Sequence, residues 1–178
     1  KMKKINSLIL TISIISLSAF TALNSAEWTI SEGHAIKFSG TDAEGIFKNV
    51  EATINFNEHD LTSSNCQINI EVNSINTGNG IKNKHAKSKK WFDAKNHPNI
   101  AFKSSAFSKT DSNFVVTGTM KIRGIEKEIS IPFTFAQNVF QAQFSVNRLD
   151  YQIGTMKGMM KKVSNEIKIE VSIPVKSN

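Results

Sequence analysis

The sequence predicts an all-β protein, an eight-stranded antiparallel barrel with a short helical insertion. Eight segments alternate apolar and polar side chains with a period of two, which is the pattern of strands that bury one face. One lysine-rich stretch, residues 83–102, interrupts this alternation. An open sheet of such strands would expose long edges, so closure into a barrel is favoured. A barrel of about eight strands either fills its interior with side chains or encloses one small ligand.

Residues 1–25 have the pattern of a secretory signal peptide. Three lysines precede an apolar stretch, and Asn24, Ser25 and Ala26 provide small or polar residues at the expected cleavage point. A single membrane-spanning helix is the competing interpretation, but no basic stop-transfer cluster follows the apolar stretch. We therefore expect a signal peptide at 1–25, one barrel domain at 26–178 and a periplasmic location.

Three strands are predicted before the insertion. The first covers Trp28–Ser39, the second covers Gly45–Asn57, and the third begins at Cys66 and ends near Thr77. The alternation places Cys66 on the inward face of its strand, so this single cysteine is predicted to be a small buried hydrophobe rather than a nucleophile.

A short helix is predicted within the lysine-rich stretch. Asn79 is a suitable N-cap residue. Ile81, His85, Ser88 and Phe92 recur at spacings of four, three and four, which places them on one face of a helix. We expect that face to pack inward and the lysines to point elsewhere.

Five more strands are predicted after the His-Pro pair at 97–98, because the residue before a proline is disfavoured in a helix. Arg123–Glu126 form a tight connection between two of these strands, and Pro132 indicates an edge position or a bulge. The five segments are Ile100–Ala106, Phe114–Ile122, Ile129–Phe135, Phe140–Val146 and Ile167–Val175.

The sequence offers no convincing catalytic or metal site. The four histidines lack metal-ligand spacing, and a nucleophile elbow, a phosphate-binding loop and a dinucleotide fingerprint are all missing. We therefore expect no enzyme activity, no catalytic residue, no metal and no cofactor.

The lysines between residues 82 and 95 have two interpretations. They form either a solvated helix face without a function or an electrostatic collar at a barrel mouth, which would attract an anionic head group. Three of the 22 basic residues and none of the 15 acidic residues lie in 1–25, so the remaining chain is only modestly basic. No aromatic side chains interleave with the lysines on a sheet face, and nucleic acid is therefore not an expected partner.

The interior is predicted to be apolar, since the chain has twelve Phe and one Tyr. A hollow interior lined by Phe, Ile and Val would select a long hydrocarbon over a sugar or a cofactor. A solid core is the alternative, and it would suit an envelope stress or interaction protein without a lipid ligand.

Several short motifs together resemble the YceI-like family, and the resemblance extends over essentially all of the chain after residue 25. The motifs occur in the order of that family: Trp28, Ile36–Phe38, Gly45–Phe47, Ser74–Thr77, Asn83–Asp93, His97–Phe102, Gly118–Gly124 and Asn147–Asp150. The helical block departs from the family, which commonly has Arg-Asp-x-His-Leu where this chain has Asn83, Lys84 and Ala86 around His85.

The resemblance implies an exported, lipocalin-like barrel that binds a polyisoprenoid or another long-chain lipid. We therefore expect a periplasmic protein that sequesters or transports a long-chain amphiphilic lipid, such as an isoprenoid, a quinone-like molecule, or a fatty acid or amide. Transient membrane contact and a homodimer are further expectations.

The predicted ligand-binding residues combine inward apolar side chains with polar groups at the barrel mouth. Head-group selectivity is expected to depend on His85, Arg148 and nearby lysines. The full set is Phe38, Ile54, Phe56, Ile70, Val72, Ile75, His85, Ser88, Trp91, Phe92, Phe102, Phe114, Val116, Met120, Phe144, Arg148 and Met156.

Overall fold

A computed structural model describes residues 27–155 and 162–177 of the chain. The predicted signal peptide and Met156 lie outside the described residues, so both remain predictions.

The described residues are ordered mainly as strands. The helical elements are α1 (Gly80–Lys87) and two 3₁₀ turns, Val72–Ser74 and Arg148–Tyr151. The strands are β1 (Glu27–Ile30), β2 (Ala35–Gly40), β3 (Ala43–Phe47), β4 (Val50–Asn55), β5 (Asn65–Glu71), β6 (Ile75–Asn76), β7 (Asn99–Lys109), β8 (Phe114–Ile122), β9 (Ile125–Ala136), β10 (Val139–Asn147) and β11 (Glu166–Ser177).

The sheet closes on itself. Antiparallel pairing runs through β1, β4, β5, β7, β8, β9, β10 and β11, and β11 pairs back to β1. β2 pairs with β11 on the same edge as β1, but at a different part of that strand. β3 pairs with β2, and β6 pairs with β3. The protein is therefore a closed, eight-stranded antiparallel barrel, as the sequence predicted.

Three of the eight predicted strands are each divided in two. The first comprises β1 and β2, the second β3 and β4, and the third β5 and β6. A strand that spans the height of a small barrel has to bend to follow its curvature, and these interruptions allow the bend. The inward-facing alternation keeps its register from β1 to β2, but it shifts by one residue between Phe47 of β3 and Ile54 of β4, and between Ile70 of β5 and Ile75 of β6.

Two hairpins close with two-residue turns of the type that matches strand twist. Arg123 and Gly124 have φ of 52° and 78°, and Gln137 and Asn138 have φ of 51° and 59°. Positive φ at both central positions is the signature of a type I′ turn. The tight connection predicted at Arg123–Glu126 is thus confirmed, but it is shorter than predicted, because Ile125 and Glu126 already belong to β9.

A β-bulge in β7 changes which side chain faces inward. The register between β7 and β8 shifts between Ser104 and Ala106. An uninterrupted alternation over the predicted strand Ile100–Ala106 would place Ala106 on the same face as Ile100 and Phe102, but the extra residue at the bulge moves Phe107 inward and leaves Ala106 exposed. Gly118 lies opposite this bulge, where an added Cβ would come within 2.3 Å of a β7 carbonyl oxygen.

Pro132 lies where one pairing ends. β9 pairs with β10 only through Phe133–Ala136, so the residue before this ladder is the proline. Proline has no N–H to donate to a neighbouring strand, and the ladder accordingly stops beside it. The prediction was an edge position or a bulge; Pro132 is paired with Val115 of β8 and lacks a ladder partner only on the β10 side, so it occupies a local edge within an internal strand.

The helix is shorter and less buried than predicted. The Asn79 side chain caps it by accepting hydrogen bonds from the Ile81 and Lys82 amides at 2.9 and 3.0 Å, as predicted. However, α1 ends at Lys87 and contains no buried residue, and Ile81 is 70% exposed. The predicted inward face is therefore wrong at Ile81. A helix dominated by lysine has too little apolar surface to bury a whole face. None of the described helices has the length and hydropathy needed to span a membrane.

Candidate functional site

A cavity of about 360 Å³ occupies the interior of the barrel. This volume is within the ~300–1,000 Å³ that is common for small-molecule pockets. Its wall is built almost entirely from the inward-facing positions of the strands, because alternate residues of a strand point to the same side. The apolar lining includes Ile36, Phe38, Ile54, Ile68, Ile70, Phe102, Val116, Met120, Phe144, Val146, Ile169 and Val171.

One end of the barrel is filled by aromatic rings. Phe56 is 1% exposed, and five other Phe rings lie with centroids 5.2–5.9 Å from its own. Trp28 extends the cluster through an edge contact with Phe135 at 5.1 Å. Edge-to-face and offset arrangements at these separations are the favourable ones for aromatic pairs. We call this group, formed by Trp28, Phe56, Phe107, Phe114, Phe133, Phe135 and Phe140, the Phe-filled end.

The opposite end carries the cavity mouth. Asp42, in the turn between β2 and β3, and Glu44, in β3, line the cavity on one side, and Lys82 and His85 of α1 line it elsewhere. All four are exposed, so the cavity reaches solvent between them. The mouth therefore has charges of both signs, whereas the wall beneath it is apolar.

Two segments, the turn after α1 and the chain around Gly154, cover part of this end beside the mouth. The Trp91 ring lies against Gly154, where an added Cβ would approach it to 2.8 Å, and the Gly154 amide donates to the Lys90 carbonyl at 3.0 Å. The Arg123 guanidinium also ties the segments together by donating to the carbonyls of Lys89 and Gln152. Gly154 has φ of 60°, so both space and backbone geometry favour glycine there.

Arg148 is buried beneath the Gly154 segment and organises the chain around it. Its Nε donates to the Ser164 carbonyl at 2.9 Å. The two terminal nitrogens donate to the carbonyls of Ile153 (2.6 Å), Gly154 (2.8 Å) and Val163 (3.2 Å) and to the Asn165 side chain (3.2 Å).

These contacts revise the predicted role of Arg148. A guanidinium has five N–H donors, and the five acceptors account for them. Its guanidinium carbon also lies 5.9 Å from the centre of the Trp91 ring. Arg148 therefore lines the cavity as a structural group. Its donors are directed at acceptors of the protein itself, and its part in head-group selectivity stays a prediction.

Cys66 lies on the cavity wall. It is 9% exposed, and burial raises the pKa of its thiol to about 11, because the charged thiolate is disfavoured in an apolar environment. The prediction of a small buried hydrophobe is confirmed. A protonated thiol at neutral pH is a poor nucleophile.

Most of the predicted ligand-binding residues line this cavity, although contact with a ligand remains a prediction for all of them. The residues that line it are Phe38, Ile54, Ile70, Ile75, His85, Trp91, Phe92, Phe102, Val116, Met120, Phe144 and Arg148.

Four predicted residues lie elsewhere. Phe56 and Phe114 belong to the Phe-filled end and do not line the cavity, although Phe107, Phe133 and Phe140 of that end border it. Val72 is buried in a 3₁₀ turn, and Ser88 is the C-cap residue of α1. An inward position is therefore necessary but not sufficient for lining the cavity, because neighbouring rings fill part of the interior.

Other lining residues were not among those predicted. Ile131, Ile167 and Ile173 occupy inward positions of their strands, and the alternation alone could have identified them. Asp42 and Glu44, which line the mouth, lie in and beside a turn. No periodic pattern in the sequence indicated that they would line the cavity.

The fold and the site define a class of protein before any comparison is made. A closed antiparallel barrel with an apolar interior open at one end is the architecture of small-ligand-binding barrels. The sequence model of the YceI-like domain family matches residues 22–175 of the chain. The chain therefore belongs to the YceI-like family.

Individual relatives agree with this assignment. The chain is similar to a UPF0312 protein of Photorhabdus laumondii, with 27% identity over 85 residues, 48% of this chain and 44% of that protein, so it spans less than half of that relative's length. The structure of Burkholderia cenocepacia BcnA is similar at 26% identity and a TM-score of 0.76, over 83% of this chain and 99% of that one. The chain also shares its fold with a polyisoprenoid binding domain from Saccharophagus degradans, implicated in plant cell wall breakdown. The two are 11% identical, with a TM-score of 0.62 over 86% of this chain and 99% of that domain.

Proposed function

We propose that the protein binds one long-chain amphiphilic lipid, with the hydrocarbon tail in the barrel and the polar head at the mouth. The observation that carries this proposal is the cavity itself, which is apolar along its wall and reaches solvent among charged side chains. Each methylene that leaves water contributes about 0.8 kcal/mol, so a tail is held without polar contacts. One structural neighbour is a polyisoprenoid binding domain, which supports the same class of ligand.

The candidate ligands are isoprenoids, quinone-like molecules, and fatty acids or amides. The wall offers few groups that could orient a sugar or a cofactor, whereas a flexible hydrocarbon needs only surface to contact. Lys82 and His85 provide donors at the mouth for an oxygen-bearing head group.

The biological role follows from the binding. We propose that the protein sequesters or transports its lipid in the periplasm after cleavage of the predicted signal peptide, without catalysis. Among residues 27–155 and 162–177, no group of three or more His, Cys, Asp or Glu side chains is placed to hold a metal ion. The Cys66 thiol, held protonated by its raised pKa of about 11, is unsuited to nucleophilic attack.

A chain-length series tests the proposal. The protein is unfolded, extracted with organic solvent, refolded and titrated with saturated fatty acids of increasing length by calorimetry. We expect one ligand per barrel, and an affinity that rises about fourfold for each methylene until the cavity is full.

The plateau of that series reports the depth of the cavity. A protein that takes up no fatty acid, isoprenoid alcohol or fatty amide contradicts the proposal and favours the alternative, an envelope interaction protein without a lipid ligand. An affinity that does not depend on chain length contradicts it as well, since the tail would then lie outside the barrel.

A further inference from the structure

The surface beside the cavity mouth is strongly basic. Lys82, Lys84, Lys89 and Lys90 are exposed, and Lys87 is half-buried. We call these five lysines the basic mouth surface. All five lie on α1 or in the turn directly after it, and Lys82 itself lines the cavity.

These lysine charges are not neutralised within the described part of the chain. The ion pairs found there join Glu58 to His59, Lys121 to Glu126, Lys127 to Asp150, and Lys168 to Glu170, and so involve none of the five lysines.

Acidic groups near this surface are few. Asp42, in the turn between β2 and β3, and Glu44, in β3, also line the cavity. Asp93 is buried, and its carboxylate accepts hydrogen bonds from the Asn96 side chain at 3.0 and 3.2 Å. A positive potential therefore extends from α1 into solvent.

The same end exposes apolar side chains. Ile81 is 70% and Leu149 38% exposed, and they are the exposed large hydrophobic residues of the described chain. Ile81, Lys84 and His85 are spaced three and four residues apart, so they share one exposed face of α1. Leu149 lies in the 3₁₀ turn that precedes the segment tied to Lys89 and Lys90.

Lysines around an exposed apolar residue supply the two contacts by which a protein surface binds a membrane, attraction to anionic lipids and apolar insertion. We propose that the basic mouth surface, together with Ile81, docks on an anionic lipid bilayer with the cavity mouth towards the membrane. The lysines meet lipid phosphates and Ile81 enters the head-group layer. If docking serves to pass lipid between the bilayer and the barrel, that use rests on the proposed function. The docking itself does not depend on the proposed function.

Vesicle binding tests the proposal directly. The full chain without residues 1–25 is mixed with vesicles of phosphatidylcholine alone or with phosphatidylglycerol, and bound protein is measured by flotation. We expect binding that requires phosphatidylglycerol and weakens as salt is raised. The double substitution Lys84→Gln and Lys89→Gln, at exposed positions that do not line the cavity, should weaken binding about 30-fold.

The matched control removes two lysines from other exposed positions. Lys103→Gln with Lys176→Gln changes the net charge equally, on β7 and β11, and should change vesicle binding less than about twofold. Ile81→Ser should weaken the binding that remains at high salt, because that part reflects apolar insertion.

Three results would overturn the proposal: equal binding to both vesicle types, equal loss in the control variant, or binding to heparin without binding to anionic vesicles. Uptake of a fluorescent fatty acid is measured in parallel without vesicles. Loss of uptake with intact vesicle binding refutes the proposed function alone, and intact uptake without vesicle binding refutes the docking alone.

Discussion

The two ends of the barrel are built from the same alternating pattern but have opposite interiors. At the Phe-filled end, rings surround Phe56 at centroid distances below 6 Å and leave it 1% exposed. Towards the mouth, the inward positions are mostly Ile and Val, and a cavity of about 360 Å³ remains between them. The difference teaches that side-chain size and ring clustering, rather than strand pattern, decide where a small barrel is solid and where it is hollow.

The comparison also separates two kinds of energetic contribution. Rings at the Phe-filled end stabilise the fold, because close-packed interiors lose free energy when atoms are removed. Residues around the cavity already border empty space, so they are free to serve a ligand. Substitutions at the two ends should therefore have opposite consequences for stability and for binding.

The largest expected effect is that of Phe56→Ala. Removing the central ring should lower the free energy of unfolding by about 3–5 kcal/mol, because it creates a cavity within packed rings. Urea denaturation measures the change. Phe38→Ala, at a cavity-lining position, is the matched substitution and should cost clearly less, since Phe38 already borders open space. Equal costs would contradict the distinction between the ends.

Arg148→Met should have the next largest effect. It removes the donors of five hydrogen bonds, and the buried carbonyls left unpaired should cost about 2–4 kcal/mol. Hydrogen exchange should increase at 153–154 and 163–165. If the variant instead kept full stability and lost only the preference for one head group, Arg148 would be a ligand-binding residue after all.

The same substitution at both ends gives the sharpest contrast. Phe114→Trp should lower stability by about 1–3 kcal/mol through overpacking and leave lipid affinity nearly unchanged. Phe144→Trp should leave stability nearly unchanged and weaken lipid binding, because the larger ring occupies cavity volume. Denaturation and calorimetry on both variants check this. Destabilisation by both, without loss of binding, would indicate a solid core throughout.

The smallest effect concerns the reactivity of Cys66. Burial raises the pKa of its thiol to about 11, so deprotonation is disfavoured at neutral pH. At pH 8 the reactive thiolate should be roughly 10²-fold rarer than for an exposed cysteine. Alkylation by iodoacetamide should therefore be slow and should accelerate with pH up to about 11. A bound lipid should slow it further, because Cys66 lines the cavity. Rapid alkylation at pH 7 would contradict the burial.

Much of the fold could be predicted because it follows from local patterns. Alternation identified all eight strands, and the Arg123–Gly124 turn and the Asn79 cap were recognisable from residue type. The bulge in β7 could not be predicted, because an unpaired residue such as Ser105 leaves no signal in the alternation. The exposure of Ile81 was missed for a related reason, since helical spacing alone cannot tell whether a face meets a partner.

The site was only partly predictable. Inward positions could be enumerated from the sequence, but the clustering of rings around Phe56 depends on contacts between distant strands. For the same reason Phe114 and Phe144 looked equivalent, although only Phe144 lines the cavity. The five hydrogen bonds of Arg148 depend on the path of the segments around 153 and 164, which no local pattern encodes.

The central claim, that the hollow half of the barrel holds a lipid tail, is tested most directly by native mass spectrometry of protein purified from its natural host. The account predicts one co-purifying lipid per chain. Ala142→Trp, at a cavity-lining position, should abolish this adduct, whereas Gln143→Trp, on the adjacent exposed position, should retain it. A wild-type protein of bare polypeptide mass, or an adduct that persists in the Ala142→Trp variant, would contradict the claim.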